Sequence, residues 1–134
     1  MKAAVLDATA MLALFFDEPD AEKMERLFHA ASEADRPIYI SAVNWAEVIY
    51  KMERKHGAVG LQTARQFERT TPLEVVPVDR DLAETAALLK NTYKLGLADA
   101  CAAALAKSKK AELVTGDYEF KTLEKDIKIN WLAK

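Results

Sequence analysis

The amino-acid sequence predicts an α/β fold with a central, mainly parallel sheet, and three features carry that expectation. Short apolar runs at residues 2–6, 38–40, 73–76 and 113–114 alternate with longer stretches of helical period, the pattern of βα units around a parallel sheet. Four carboxylates far apart in the chain, Asp7, Glu47, Asp99 and Asp117, each fall where a strand ends or a helix face begins. Open α/β sheets bind their ligands at the carboxyl ends of the strands, where Asp7 and Asp117 are placed. Finally, 134 residues of which 51% are hydrophobic and 30% charged suit a single domain over 1–134 that buries its own core.

The elements follow in order. After the first strand, a short helix over 10–16 stops before Asp17-Glu18-Pro19-Asp20, and Asp20 is placed to cap the next helix. That helix carries Met24, Leu27, Phe28 and Ala31 on one face and runs to about residue 34. Pro37 opens the second strand. Ser41 then precedes a helix over 43–56, with Trp45, Val48, Ile49 and Met52 at helical spacing and Asn44 and Glu47 sharing a face. Gly57 ends it, and 58–69 forms another helix before Pro72 and the third strand. Asp79 caps a helix over 82–93, Gly96 closes that region, and 97–107 forms a small-residue helix with Asp99 in its first turn. The fourth strand delivers Thr115-Gly116-Asp117, and 127–129 reads as a short edge strand.

Composition narrows the function. The longest apolar stretches, such as 10–16, fall far short of the roughly 20 residues of a membrane helix, and no basic start precedes a signal-type core. A cytoplasmic protein is expected. The single Cys101 excludes an internal disulfide and, among alanines, predicts a buried side chain. With a net charge of −2 and a pI near 5.7, the chain lacks the basic excess of a general nucleic-acid binder. Any help with a polyanion has to be local, from Lys51, Arg54 and Lys55 or from Lys107, Lys109 and Lys110.

The acids are informative through position, since 21 Asp and Glu residues are present. Two carboxylates about 5 Å apart repel by roughly 3 kcal/mol at an effective dielectric near 20, so a gathering of four calls for a cation. Oxygen-rich sites suit hard ions such as Mg²⁺. Zinc is disfavoured, because His29, His56 and Cys101 form no paired ligand spacing. Asp7 interrupts an apolar strand, where an acid is expensive unless it caps a helix or serves a site. Glu47, Asp99 and Asp117 taken singly read as a helix acid, a first-turn acid and a turn residue. Thr9 and Thr115 lie two residues from Asp7 and Asp117, placed to orient carboxylates or to cap local backbone.

Together, Val5-Leu6-Asp7-Ala8-Thr9, Ser41-Ala42-Val43-Asn44-Trp45-Ala46-Glu47-Val48, Leu97-Ala98-Asp99-Ala100 and Leu113-Val114-Thr115-Gly116-Asp117-Tyr118-Glu119-Phe120 resemble the PIN domain, and within it the VapC-type toxins. The resemblance covers essentially the whole chain. It implies a PIN-like, Rossmann-like three-layer sandwich and a Mg²⁺- or Mn²⁺-dependent endoribonuclease. It further implies a homodimer inhibited by a cognate antitoxin whose tail covers the acidic cleft. The family's acidic positions carry over to Asp7, Glu47, Asp99 and Asp117, its Asp-x-Ser/Thr and Thr-x-Asp elements to Thr9 and Thr115, and its recurrent Asn to Asn44. Glu119 corresponds to a variable further acid. Asp7, Asp99 and Asp117 are expected to form the main metal shell, with Glu47 positioning water or completing a second metal site. A housekeeping or DNA-directed PIN nuclease and a noncatalytic PIN-like binding module are the competing readings.

Overall fold

The structure is a computed structural model and describes residues 2–133. Five short strands, β1 (Ala4–Leu6), β2 (Ile38–Ser41), β3 (Leu73–Val76), β4 (Glu112–Thr115) and β5 (Ile129–Trp131), form one sheet in the order β3-β2-β1-β4-β5. All four pairings are parallel. The chain therefore winds outward in one direction from β1 through β2 to β3, then returns to the other side of β1 for β4 and β5. This places the topological switch point between β1 and β4, the position at which an open α/β sheet forms a crevice at its carboxyl edge.

Helices cover both faces, giving the three layers. Side chains alternate along each strand, so β1 sends Ala4 and Leu6 to one core and Val5 to the other, while β4 sends Val114 and Leu113 to those same two sides. The first core packs against α1 (Ala8–Phe15), α2 (Ala21–Glu33) and α3 (Ala42–Thr70), and the second against α4 (Arg80–Tyr93) and α5 (Leu97–Lys109). Helix α5 is lined with buried alanines from Ala100 to Ala106, and such small side chains let it lie close against the sheet. Met52 is buried in the first core, with Trp45 and Ile49 packed against it. That face of α3 is thus within-chain packing.

The two helices expected on either side of Gly57 are joined into α3 by a kink. Gly57 has φ +65° and ψ −148°, a conformation essentially restricted to glycine. Three residues on, a Cβ at Gly60 would stand 2.3 Å from the Met52 carbonyl oxygen, so only glycine permits the second half of α3 to approach the first. The second half then brings Phe67 edge-on to Phe15 and Phe28, with ring centroids 5.2 and 4.9 Å away.

Several boundaries and caps differ from those expected. Helix α1 begins at Ala8, because Asp7 itself is its N-cap and accepts from the Ala10 amide. Asp20 precedes α2 without a side-chain capping bond. Helix α4 ends in left-handed Lys94, and Gly96, at φ −64°, instead starts α5. The edge strand is Ile129–Trp131, two residues later than expected, because the Ile127 amide donates to the Leu123 carbonyl (2.9 Å) and its side chain turns into the core. Pairing to β4 starts only at Ile129, opposite Leu113.

The kink makes a direct prediction. Gly60→Ala is expected to lower stability by about 1–3 kcal/mol, through a clash with backbone that cannot swing away. Urea denaturation of the variant measures this, and wild-type stability would contradict the packing of the two halves of α3.

Candidate active site

Asp7 ends β1 at the switch point and is 2% exposed. Its carboxylate is held from three directions. Oδ1 accepts from the Ala10 amide (3.0 Å) and from Thr9 Oγ1 (2.7 Å), and Oδ2 accepts from Thr115 Oγ1. The two threonines also accept from the loop after β4: Gly116 N donates to Thr9 Oγ1 (3.0 Å) and Asp117 N to Thr115 Oγ1 (2.9 Å). Each hydroxyl thus donates to Asp7 and accepts from that loop, locking the end of β1 to the end of β4. Asp7 thus caps α1 and also ties the end of β1 to Thr115 at the end of β4. Burial pushes its carboxyl above the ordinary carboxylate range, an effect opposed by the bonds from Thr115, Thr9 and Ala10.

A cleft of about 330 Å³ opens above Asp7 and is lined by Thr9, Asn44, Glu47, Asp99 and Asp117, among others. The fold therefore brings together the four acids named from sequence. Among the described residues, Asp99, Asp117 and Glu119 form a group in which one carboxylate oxygen from each lies within 4.8 Å of the others. Glu119 reaches it through a tight turn, since its amide donates to Asp117 Oδ1 (2.9 Å) at the start of a 3₁₀ segment, Tyr118–Leu123. The Asp99 carboxyl is pushed up to about 7, first by desolvation, then by the Asp117 charge, a hydrogen bond with Glu119 and the Asp7 charge. An all-oxygen group of this kind matches the preferences of a hard divalent cation.

Asn44 joins the elements that frame the cleft. Ser41 caps α3 by accepting from the Asn44 amide (3.0 Å), and its hydroxyl donates to Asn44 Oδ1 (2.5 Å). Asn44 Nδ2 donates to the Ala98 carbonyl (3.2 Å), tying α3 to the first turn of α5 beside Asp99. One turn along α3, Glu47 accepts from Lys51 Nζ at 2.9 Å. Of the basic residues noted from sequence, Arg54 lies over Tyr50 and Lys55 over Phe16. Lys107, Lys109 and Lys110 line a separate concavity of about 620 Å³ with Lys2, Arg36 and Lys128. Those residues sit at the amino ends of the strands, away from the acidic cleft.

The charge crowding sets the sign of a pH effect. In metal-free protein the folded Asp99 carboxyl titrates near 7, whereas the unfolded chain has the ordinary 3.8, so the folded state holds the extra proton between these values. Stability present below the lower value is then lost as pH rises through the upper one. Thermal unfolding in chelator from acid to mildly alkaline pH is expected to show this decline for the wild type and a flatter profile for Asp99→Asn. Identical profiles would remove the crowding argument.

Comparison with known proteins agrees with this geometry. The PIN domain family profile matches residues 4–126. Ribonuclease VapC30 of Mycobacterium tuberculosis is 32% identical over 92 residues, 69% of this chain and 67% of that protein. A ribonuclease VapC of Mycolicibacterium smegmatis is 31% identical over 93 residues, 69% of this chain and 68% of its own length. Among solved structures, a toxin–antitoxin complex from Klebsiella pneumoniae superposes with a TM-score of 0.69 at 28% identity, covering 88% of this chain and 90% of that one. DNA-bound VapBC from Salmonella typhimurium reaches a TM-score of 0.79 at 23% identity, covering 97% and 98%, a likeness of fold. The chain, with its all-parallel sheet and acids at the switch point, belongs to the PIN domain family.

Proposed function

We propose that this protein is a metal-dependent endoribonuclease that hydrolyses phosphodiester bonds in single-stranded RNA, and that it is the toxin of a type II toxin–antitoxin pair. The observation that carries this reading is the convergence of Asp7, Glu47, Asp99 and Asp117 on one cleft, in a chain whose curated relatives are VapC ribonucleases.

The donor set fits Mg²⁺ or Mn²⁺. The clustered atoms are all carboxylate oxygens, while His29 pairs with Glu33, His56 meets Phe16 edge-on and Cys101 is buried in the second core. A divalent cation bound here supplies polarisation of a phosphate oxygen and a lowered pKa for an attacking water. Asp99, Asp117 and Asp7 are the proposed ligands, with Glu119 joining them. Asp7 Oδ1 already accepts two donors and Oδ2 only one, so Oδ2 retains a lone pair for this role. Thr9 and Thr115 fix the plane of that carboxylate. Glu47, held by Lys51, positions the attacking water and takes its proton. Asn44 is a positioning residue, keeping the helix of Glu47 in register with Asp99.

A partner that neutralises these acids is the expected inhibitor, and the solved relatives described as toxin–antitoxin or VapBC complexes support an antitoxin partner. A homodimer is proposed as the solution state, and Leu88 and Leu97, 70% and 60% exposed, supply apolar surface for contacts between chains. Among the described residues no helix is long and apolar enough to cross a membrane. A cytoplasmic site of action is proposed separately, as the place where the proposed RNA substrate is found.

Purified protein is expected to cleave single-stranded RNA with Mg²⁺ or Mn²⁺, to stop with excess chelator, and to lose activity by about 100-fold or more in Asp7→Asn and Asp117→Asn. Full activity after metal removal, with Asp7→Asn excluding a contaminating nuclease, would refute the mechanism. Light scattering should give a dimer, and, where a small gene adjoins this one, titration with its product as the expected antitoxin should abolish cleavage. A monomer still active beside a saturating excess of that product would refute the proposed assembly and leave the chemistry standing.

A further inference from the structure

We propose that Tyr118 and Trp131 form a nucleobase-stacking subsite beside the acidic cleft, holding one purine or pyrimidine ring of a single-stranded RNA next to the phosphate being cut. The inference rests on the ribonuclease reading and adds the contact that grips the strand.

Position is the first ground. Tyr118 lies between Asp117 and Glu119, two members of the carboxylate cluster. Trp131 is opposite Thr115 in the β4–β5 pairing, and the Leu132 amide donates to the Thr115 carbonyl at 2.9 Å. Both aromatic residues therefore stand at the carboxyl edge of the sheet, Tyr118 just after β4 and Trp131 one strand outward from the hydroxyl that holds Asp7.

Geometry is the second. The two rings are stacked, with centroids 5.1 Å apart and planes inclined by 25°. Trp131 is fixed at both ends: its Nε1 donates to Glu124 Oε2 (2.9 Å), Glu124 is paired with Lys121 (2.8 Å), and its carbonyl accepts from Lys23 Nζ (2.8 Å). Trp131 packs against the second core, whereas Tyr118 is 54% exposed and stands outside both cores. A large ring backed by an immobilised indole is a preformed surface, and stacking on it costs little ordering. Every base offers a π-face, so such a surface grips RNA without requiring a particular sequence.

Electrostatics is the third. The cleft gathers acids that repel a phosphate backbone, and Lys2, Lys107, Lys109, Lys110 and Lys128 line a concavity at the opposite end of the sheet. A strand held over the acids needs a contact independent of charge, and stacking supplies it.

The test measures cleavage of short unstructured RNAs by metal-loaded wild type, Tyr118→Ala and Tyr118→Phe, with single abasic nucleotides placed in turn around the preferred cut. Loss of one stacked base predicts a KM raised about 10-fold in Tyr118→Ala with a much smaller change in kcat. Tyr118→Phe, which keeps the ring, recovers most of that loss. One abasic position should weaken the wild type to the same degree and cost Tyr118→Ala nothing further, a coupling that a merely structural role would not produce. A wild type indifferent to every abasic position, or a Tyr118→Ala defect that adds to all of them equally, overturns the subsite alone. A wild type that cleaves no RNA with either metal overturns the ribonuclease reading and the subsite with it.

Discussion

The buried carboxylate of Asp7 is the constraint around which the carboxyl edge of the sheet is built. An acid that is 2% exposed is costly unless its lone pairs are used, and here the partners come from two segments: the first turn of α1, through the Ala10 amide and the Thr9 hydroxyl, and the end of β4, through Thr115. Satisfying one side chain therefore fixes how β1, α1 and β4 meet. The loop after β4 is drawn into the same arrangement, because its amides donate to the threonine hydroxyls. Asp117 is placed by this loop, and Glu119 by the turn that Asp117 nucleates. A hydrogen-bond chain beginning at a helix cap thus ends at the carboxylate cluster.

That chain holds the acids close together against their mutual repulsion. Desolvation and neighbouring negative charge act in the same direction on Asp99, while the supporting bonds prevent the acids from drifting apart. Rigidity and repulsion together favour a bound divalent ion. Asn44 extends the rigidity to the other wall, since its bonds to Ser41 and to the Ala98 carbonyl hold α3 against α5.

The architecture was largely legible in the sequence because strand runs and helical faces carry distinct periods, and because parallel strands put their carboxyl ends on one edge. Asp7 and Asp117 stand out for the same reason, whereas Glu47 and Asp99, on helices, stand out only in conjunction with them and through the family resemblance. What sequence left open depended on turns. Ile127 and Ile129 look like one alternating strand, but a backbone bond from Ile127 to Leu123 assigns only the latter isoleucine to the sheet. Glu119 corresponded only to a variable family acid, and its place within 4.8 Å of Asp99 and Asp117 depends on a local 3₁₀ geometry that residue identity does not specify. The joining role of Asn44 likewise required knowing that Ala98 lies across from it. Gly57 marks the break in the sequence as in the structure, whereas the close approach at Gly60 has no sequence signal of its own.

The central claim is that these carboxylates form one cation site whose occupancy displaces a proton. Calorimetric titration of metal-free wild type and Asp99→Asn with Mn²⁺, near neutral pH in two buffers of different ionisation enthalpy, measures binding and proton release together. The account predicts that the wild type binds with release of a substantial fraction of a proton, and that Asp99→Asn binds more weakly with little release. Wild-type binding without proton release, or binding unchanged by Asp99→Asn, would contradict it.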